Sequence, residues 1–334
     1  MKKIILAIAV LIFSASCKKS HEEEKLPLKT VEEITIMELK QVLEPVSQGH
    51  ETFNLVGYGY DVTGKFNDPS SARAAVIDVE SYDKNHKLSV GTSGWFYSDM
   101  HDGENAEILA STLSNKTDET KGRKLYGETI SSFFPGESPF SERYIYGFYS
   151  KISSLKSIWF GGVEHIVKYL NPAFKDDIQN MNAENLVKKY GTHVLTYISL
   201  GGKLNIIYQA ETTSFDRRNA QNAGFDFAIK KVFYFSPERM NAVDSNRLRT
   251  IKSPKVAYEV FGGDATKIRL VNTVTGILVD TYTWSDSINL KTAAFIAANK
   301  MVPITTLIAD QAKKTEVENY IKGYLNEKEV QLTN

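Results

Sequence analysis

The chain has 334 residues, which is enough to bury one large hydrophobic core or a core with a small appendage. Lys and Arg together number 40, and Asp and Glu also number 40, so the charge gives no reason to expect nucleic acid or a strongly charged partner. Aromatic residues make up 11% of the sequence, which argues against disorder over most of its length.

Residues 1–16 have the pattern of a secretory signal peptide. Lys2 and Lys3 precede an apolar run from Ile4 to Phe13. That run is about half as long as the roughly 20 residues that a helix needs to span a bilayer. We therefore expect residues 1–16 to be removed on export and exclude them from the fold.

Cys17 is the only cysteine in the sequence, and it stands where bacterial lipoproteins carry their acylated cysteine. We therefore expect lipidation at Cys17, which would anchor the exported protein to the outer membrane, at the cell surface or released from it. An ordinary signal peptide followed by an incidental cysteine is the alternative. In both cases an intramolecular disulfide is excluded, because a disulfide requires two thiols.

Residues 17–30 form the predicted flexible tether between the anchor and the fold. The segment is charged, includes Glu22, Glu23 and Glu24, and shows no apolar periodicity. The three glutamates resemble surface-export signals of some bacterial lipoproteins, and a linker without such a role is the alternative.

The spacing of apolar residues predicts a series of helices and strands on either side of two polar stretches, residues 98–143 and 214–253. The predicted helices cover residues 31–43, 163–170 and the segment from Pro172 onward. The predicted strands cover residues 74–82, 88–97, 144–160 and 255–260. The strand over 144–160 is apolar on both faces, which is typical of a strand buried on both sides.

A helix followed by a bent strand is predicted in the middle of the chain. Ala183, Leu186, Val187 and Tyr190 follow helical spacing, so they form one apolar stripe. Gly191 stands where a glycine often ends a helix in a left-handed conformation. Two strands are expected next, over residues 194–200 and 203–213. The glycine pair between them allows a sharp bend without a clash of Cβ atoms.

The segment Tyr190-Gly191-Thr192-His193, followed by Gly201-Gly202, resembles the signature of the membrane attack complex/perforin family. Val194 departs from the aromatic residue that usually follows the histidine. Weaker landmarks fall in the family's order, and they are Gly57 to Asp61, the pair Gly262-Gly263, and Pro303 to Ile308.

The resemblance implies an α+β fold, in which a bent, twisted, four-stranded antiparallel sheet is flanked by two helical clusters. It places the domain at residues 31–310, and a C-terminal helix is expected over residues 311–334. In pore-forming members of the family, the clusters refold into amphipathic hairpins and many subunits close a barrel. The partners it implies are therefore further copies of the chain, in a ring or arc, and a target membrane. The sequence does not identify the lipid, glycan or surface protein that serves as receptor.

The two polar stretches are the candidates for the inserting hairpins, and only part of the second has the required pattern. Phe225, Phe227 and Ile229 alternate with Asp226 and other residues, as a membrane-spanning strand requires. These three residues are the candidate membrane-inserting segment. Residues 240–252 alternate poorly, and the first stretch shows no clear alternation. A second function therefore stays open, a surface adhesion module that keeps the fold without forming pores.

The sequence gives no pattern for catalysis, and we expect the protein not to be an enzyme. His193 has no second histidine or carboxylate at metal-ligand spacing on its own element, so a structural, hydrogen-bonded role near the bend is expected. Neither a cofactor nor a metal is predicted. The function that the sequence favours is an exported, lipid-anchored, perforin-like toxin directed at competing bacteria or host cells.

Overall fold

A computed structural model describes residues 32–39, 49–135, 138–234, 245–274 and 276–334. The predicted signal peptide, Cys17 and the tether lie outside these ranges. So do part of the expected helix over residues 31–43 and part of the segment 240–252.

Within the described residues there are ten strands, of which eight form one sheet and two form a separate hairpin. The strands are β1 (Thr35–Glu38), β2 (Tyr58–Tyr60), β3 (Ala72–Ala75), β4 (Ser89–Gly103), β5 (Tyr144–Trp159), β6 (His193–Thr212), β7 (Ile251–Phe261), β8 (Arg269–Thr273), β9 (Gly276–Asp280) and β10 (Ala294–Pro303).

The α-helices lie between these strands, and the last one follows β10. They are α1 (Val79–His86), α2 (Ala106–Thr112), α3 (Gly127–Phe133), α4 (Val163–Ile166), α5 (Pro172–Asn180), α6 (Ala183–Tyr190), α7 (Arg217–Phe233), α8 (Ser245–Leu248), α9 (Tyr282–Ser285) and α10 (Gln311–Glu327). In the described part of the chain, no helix is long and apolar enough to cross a bilayer.

Six of these helices begin at an Asn or Asp whose side chain accepts a hydrogen bond from a backbone amide in the first turn. That bond satisfies one of the amide groups that the start of a helix leaves without a partner. The capping residues are Asp78, Asn105, Asn171, Asn182, Asp216 and Asp310.

The centre of the large sheet is β6, which is paired along both edges. Strands β4, β5, β6 and β7 are consecutive antiparallel neighbours. The first half of β6 pairs with β10 on the edge where its second half pairs with β7. The predicted fold class, a curled antiparallel sheet with helices around it, is confirmed.

The bend of the sheet follows irregularities that lie side by side in neighbouring strands. The register shifts between Thr92 and Trp95 in β4, and between Ser154 and Lys156 in β5. The second shift lies opposite Gly201 of β6. Extra residues of this kind bend a strand and increase its twist, so these positions together form one line of bending across the sheet.

Two polar connections, one on each face of the sheet, lie at the same end of the long strands. We call residues 104–143, which join β4 to β5, the first cluster, and residues 213–250, which join β6 to β7, the second cluster. Helices α2 and α3 of the first cluster pack with Tyr146 and Phe148. Helix α7 of the second cluster packs with Ile206 and Tyr208, so the strands are buried on both faces, as predicted for β5.

Three predicted elements are wrong. Residues 35–38 of the expected helix form β1, which pairs in parallel with β7 and so takes a strand conformation from its neighbour. Residues 79–82 of an expected strand are helical, because Asp78 caps α1. The two strands expected on either side of the glycine pair are one continuous strand, β6.

Alanine substitutions at Gly201 and Gly202 test how the bend is built. A Cβ atom on Gly201 would lie 1.9 Å from the Ser153 carbonyl oxygen, which belongs to a paired backbone, whereas a Cβ on Gly202 would meet the side chain of Ile288. We expect Gly201→Ala to lower the free energy of unfolding by about 3 kcal/mol and Gly202→Ala by less, because a side chain can repack more easily than a paired strand.

Gly323→Ala in α10 is the control, since no atom lies within 4 Å of its Cβ position and alanine favours a helix. Urea denaturation monitored by circular dichroism measures all three variants. Equal losses in Gly201→Ala and Gly202→Ala would contradict this account of the bend.

Candidate functional site

The residues of the signature join three parts of the sheet at the end of α6. The Thr192 amide donates to the Tyr60 carbonyl at 3.1 Å, and the Thr192 hydroxyl accepts from the Val62 amide at 3.2 Å. The Thr192 carbonyl accepts from the Ile304 amide at 3.0 Å. This threonine therefore holds the chain after β2 and the segment after β10 onto the start of β6.

Gly191 allows this close approach. Its φ angle is +76°, a positive value as expected, but its ψ of −170° lies outside the left-handed helical region that was predicted. A Cβ atom here would lie 2.6 Å from the Tyr60 carbonyl carbon. Both conditions favour glycine, because side chains rarely adopt positive φ and the neighbouring backbone leaves no space.

Tyr190 attaches α6 to α5. Its hydroxyl donates to the Asp177 carboxylate at 2.6 Å, and its ring packs edge-on against Phe174. Burial and the neighbouring carboxylate of Asp177 both raise the pKa of Tyr190 above its usual value. The hydroxyl is therefore a protonated donor at physiological pH.

His193 is fully buried and hydrogen-bonded at both ring nitrogens. Nδ1 lies 3.0 Å from the Thr192 hydroxyl, and Nε2 lies 3.3 Å from the Glu119 carboxylate. Glu119 belongs to the first cluster, so the histidine links that cluster to the start of β6. In the described residues, no group of three or more acidic, histidine or cysteine side chains is arranged to hold a metal ion.

Sequence reasoning did not find Glu119 because it lies far from His193 along the chain and on a different element. The hydrogen bond from His193 lowers the pKa of Glu119 to about 2. This hydrogen bond therefore stabilises the folded protein at every pH at which the Glu119 carboxylate is ionised.

The candidate membrane-inserting residues lie in α7. Phe225 and Ile229 are fully buried on the sheet, while Phe227 is half-buried, with the Lys231 ammonium 5.6 Å from its ring centroid. A Cβ atom on Gly147 of β5 would lie 2.3 Å from the Phe225 ring. Gly147 therefore creates the space in which this ring sits.

Arg217, the first residue of α7, connects the second cluster to both ends of the first. Its guanidinium donates to the carbonyls of Glu104, Glu142 and Tyr144 at 2.8, 2.7 and 2.8 Å. Glu104 follows β4 and Tyr144 begins β5. One side chain thus links the start of the second cluster to both ends of the first, and no local sequence pattern predicts this.

A network of buried charges lies just beyond the bend. The Lys203 ammonium donates to the carbonyls of Asn67 and Ile296 and lies 4.2 Å from the Phe261 ring centroid. Burial lowers the pKa of Lys203 to about 8. The neighbouring Glu259 pairs with Lys65, and burial raises the pKa of Glu259 because that pairing only partly offsets the loss of water.

A model of the MAC/Perforin domain matches residues 135–333 of the chain. The crystal structure of GNIP1Aa from Chromobacterium piscinae superposes with a TM-score of 0.63 at 17% identity, over 84% of this chain and 57% of that one. A MAC/Perforin-domain protein from Bacteroides thetaiotaomicron superposes with a TM-score of 0.64 at 16% identity, over 84% and 62%. No curated protein sequence matches the chain.

These comparisons confirm the predicted family and its fold. At 16% and 17% identity they bear on the fold alone. The chain spans 57% and 62% of the length of these two structures, so the activities of the whole proteins do not transfer with the likeness.

The link between His193 and Glu119 gives a pH-dependent contribution to stability. Because the folded pKa of Glu119 is about 2, below its ordinary value of 4.5, this contribution is present above pH 4.5 and is lost as the pH falls towards 2. We expect Glu119→Gln to lower the free energy of unfolding at pH 7 by about 1 kcal/mol at most, since solvent screens a partly exposed group.

Urea denaturation between pH 7 and pH 3 measures the effect, and the difference from the wild type should shrink below pH 4.5. Glu51→Gln, at an exposed carboxylate outside the first cluster, is the control and should show no such trend. A difference that stays constant across this range would rule out the assigned role of Glu119.

The contacts of Arg217 predict a second outcome. Arg217→Lys keeps the positive charge but loses the paired Nε and Nη2 donors at the Glu104 carbonyl, so we expect a loss of about 1–3 kcal/mol and faster amide exchange in α7. Hydrogen exchange followed by mass spectrometry measures the local effect. Arg218→Lys, at the exposed neighbouring position, is the matched control. Unchanged exchange in α7 of Arg217→Lys would show that the contacts do not hold the helix.

Proposed function

The chain belongs to the MAC/Perforin domain family, and from this premise we propose that it is an exported, lipid-anchored protein that oligomerises and inserts hairpins into a target membrane. The observation that supports this most is the connectivity of the two clusters. Each leaves one long strand and returns to its antiparallel neighbour at the same end of the sheet.

Unfolding of either cluster would extend strand pairing that already exists. The last pair of β4 and β5 is Gly103 with Tyr146, and the last pair of β6 and β7 is Thr212 with Ile251. A transmembrane strand needs about 9–11 residues. Residues 104–143 and 213–250 are each long enough for the two strands of a hairpin that continues this pairing.

Insertion would require several copies of the chain. Backbone groups cannot stay unpaired in lipid, so strands cross a membrane only as a closed barrel, and four strands are too few to enclose one. Among the described strands, β4 pairs only with β5, and only the four residues of β1 cover the outer edge of β7. These two edges are the candidate surfaces for self-association.

The sequence of α7 suits both a docked helix and an inserted strand. In the helix, Phe225 and Ile229 are four residues apart and both face the core. In an extended strand, these two residues and Phe227 would share one face, with Asp226 and Lys230 on the other. One segment can therefore bury its apolar residues against protein in one state and against lipid in the other.

Three parts of this proposal rest on the sequence alone. They are export, lipidation at Cys17, and the action as a toxin on competing bacteria or host cells.

The second candidate function is a non-lytic surface adhesion module. The observations that favour it are the absence of alternation in the first cluster and the poor alternation of residues 240–252, since one regular strand is a quarter of the four that each copy would insert.

Replacement of Phe227 separates the two functions. Phe225 and Ile229 are buried in the docked state, so a charge at either position would unfold the protein, but Phe227 is only half-buried. An aspartate on the lipid face at mid-depth is unfavourable in each subunit, by less than the roughly 2–4 kcal/mol of Arg or Lys, and the cost adds up over the copies in a barrel. We expect Phe227→Asp to abolish dye release from vesicles made of target-cell lipid extract, while the circular dichroism spectrum stays unchanged.

Tyr282→Asp, at an aromatic residue exposed outside both clusters, is the control and should lyse like the wild type. If the wild-type protein binds these vesicles without dye release or rings in electron micrographs, the adhesion function is supported and pore formation is not.

A further inference from the structure

A groove of about 430 Å³ lies across β4, β5 and β6 at the bend of the sheet. It is a surface feature that neither the signature nor the clusters use. Of its eleven lining residues, five carry aromatic rings, five carry hydroxyl or amide groups, and one is Gly91.

Aromatic rings form one part of the groove. Trp159 of β5 pairs directly across from Tyr197 of β6, with ring centroids 5.3 Å apart. A Cβ atom on Gly91 would lie 3.2 Å from the Trp159 indole, so the indole extends over β4 at the glycine. Trp95 contributes a third ring and is 74% exposed. Exposure of this much aromatic surface to water is unfavourable, and exposed apolar patches of this kind are typical of sites that bind a ligand or a partner.

Neutral hydrogen-bonding groups form the other part. Ser157 and Ser199 face each other across the strands, with hydroxyl oxygens 3.1 Å apart. The side-chain amide of Asn299 donates to the Ser199 hydroxyl at 2.6 Å. The pair Ser157 and Ser199 lies two residues along the strands from the pair Trp159 and Tyr197. A row of hydroxyl and amide groups therefore runs directly beside the row of rings.

The lining contains no Asp, Glu, Lys or Arg, although these residues make up 24% of the chain. Burial raises the pKa of Tyr97, so its hydroxyl also stays neutral. Phosphate groups and acidic or basic peptides need an opposite charge to offset their loss of water, and the groove offers none. Its chemistry therefore matches a ligand that is uncharged, rich in hydroxyl groups and flat on at least one face.

We propose that this groove binds a neutral oligosaccharide. The C–H faces of sugar rings stack on aromatic side chains, and their equatorial hydroxyls exchange hydrogen bonds with serine and asparagine groups. A second pocket of about 260 Å³ shares Tyr97 and Asn299 with the groove, but its lining includes Asp99, Lys116 and Lys203, so the neutral site is confined to the groove itself. This inference rests on the proposed function in one respect, since it assigns the glycan as receptor for a protein that acts on a cell surface.

An array of immobilised neutral and anionic glycans, followed by titration of intrinsic tryptophan fluorescence with the best soluble oligosaccharide, tests the proposal. We expect retention on neutral glycans, and we expect Trp95→Ala and Asn299→Asp each to weaken binding about tenfold, which corresponds to about 1.4 kcal/mol. Trp95 is exposed, so its replacement leaves the fold intact. Tyr282→Ala, at an equally exposed aromatic residue outside the groove, is the control and should bind like the wild type.

No retention on any neutral glycan, or equal binding by Trp95→Ala, would overturn the proposal. So would Trp95-dependent binding to phosphatidylcholine vesicles without glycan, because that result assigns the rings to lipid. Dye release is measured separately on the vesicles made of target-cell lipid extract. Glycan binding without dye release removes the pore function and leaves this site, whereas dye release without glycan binding removes only this site.

Discussion

The approach of Gly201 to the carbonyl oxygen of Ser153 is the contact on which the rest of the structure depends. Any side chain at this position would enter a paired neighbouring strand. Because glycine leaves that space open, β6 continues through the bend as one strand of 20 residues and changes its partner from β10 to β7 along the way. The antiparallel order of β4 to β7 places both clusters at one end of the long strands, and the aromatic groove lies at the bend.

The clusters are docked by many weak contacts and a few specific ones at their roots. Arg217 joins the start of the second cluster to both ends of the first, and His193 joins the first cluster to the signature through Glu119. These hydrogen bonds are local and fix the roots of the clusters. The bodies of the clusters are held by apolar side chains buried against both faces of the sheet, and the strands are held by their ladders.

Part of this arrangement could be predicted from the sequence, and the reasons are local. The buried strand β5 has apolar residues at both parities, and the stripe ending at Tyr190 has helical spacing. Contacts between distant segments could not be predicted, since neither Glu119 nor Arg217 stands in a pattern that names its partner. The strand β1 was missed for the same reason, because its conformation comes from pairing with β7.

Pore formation by this chain requires that the segment around Phe225 changes from helix to strand at a membrane. Single cysteines at each position from 223 to 231 in the lipidated protein, in which the modified Cys17 has no free thiol, labelled with a polarity-sensitive dye, would measure this directly on target-cell vesicles. We expect alternation with period two, with apolar surroundings at 225, 227 and 229 and aqueous surroundings between them. A helical period, or a pattern unchanged from the protein in solution, would contradict it.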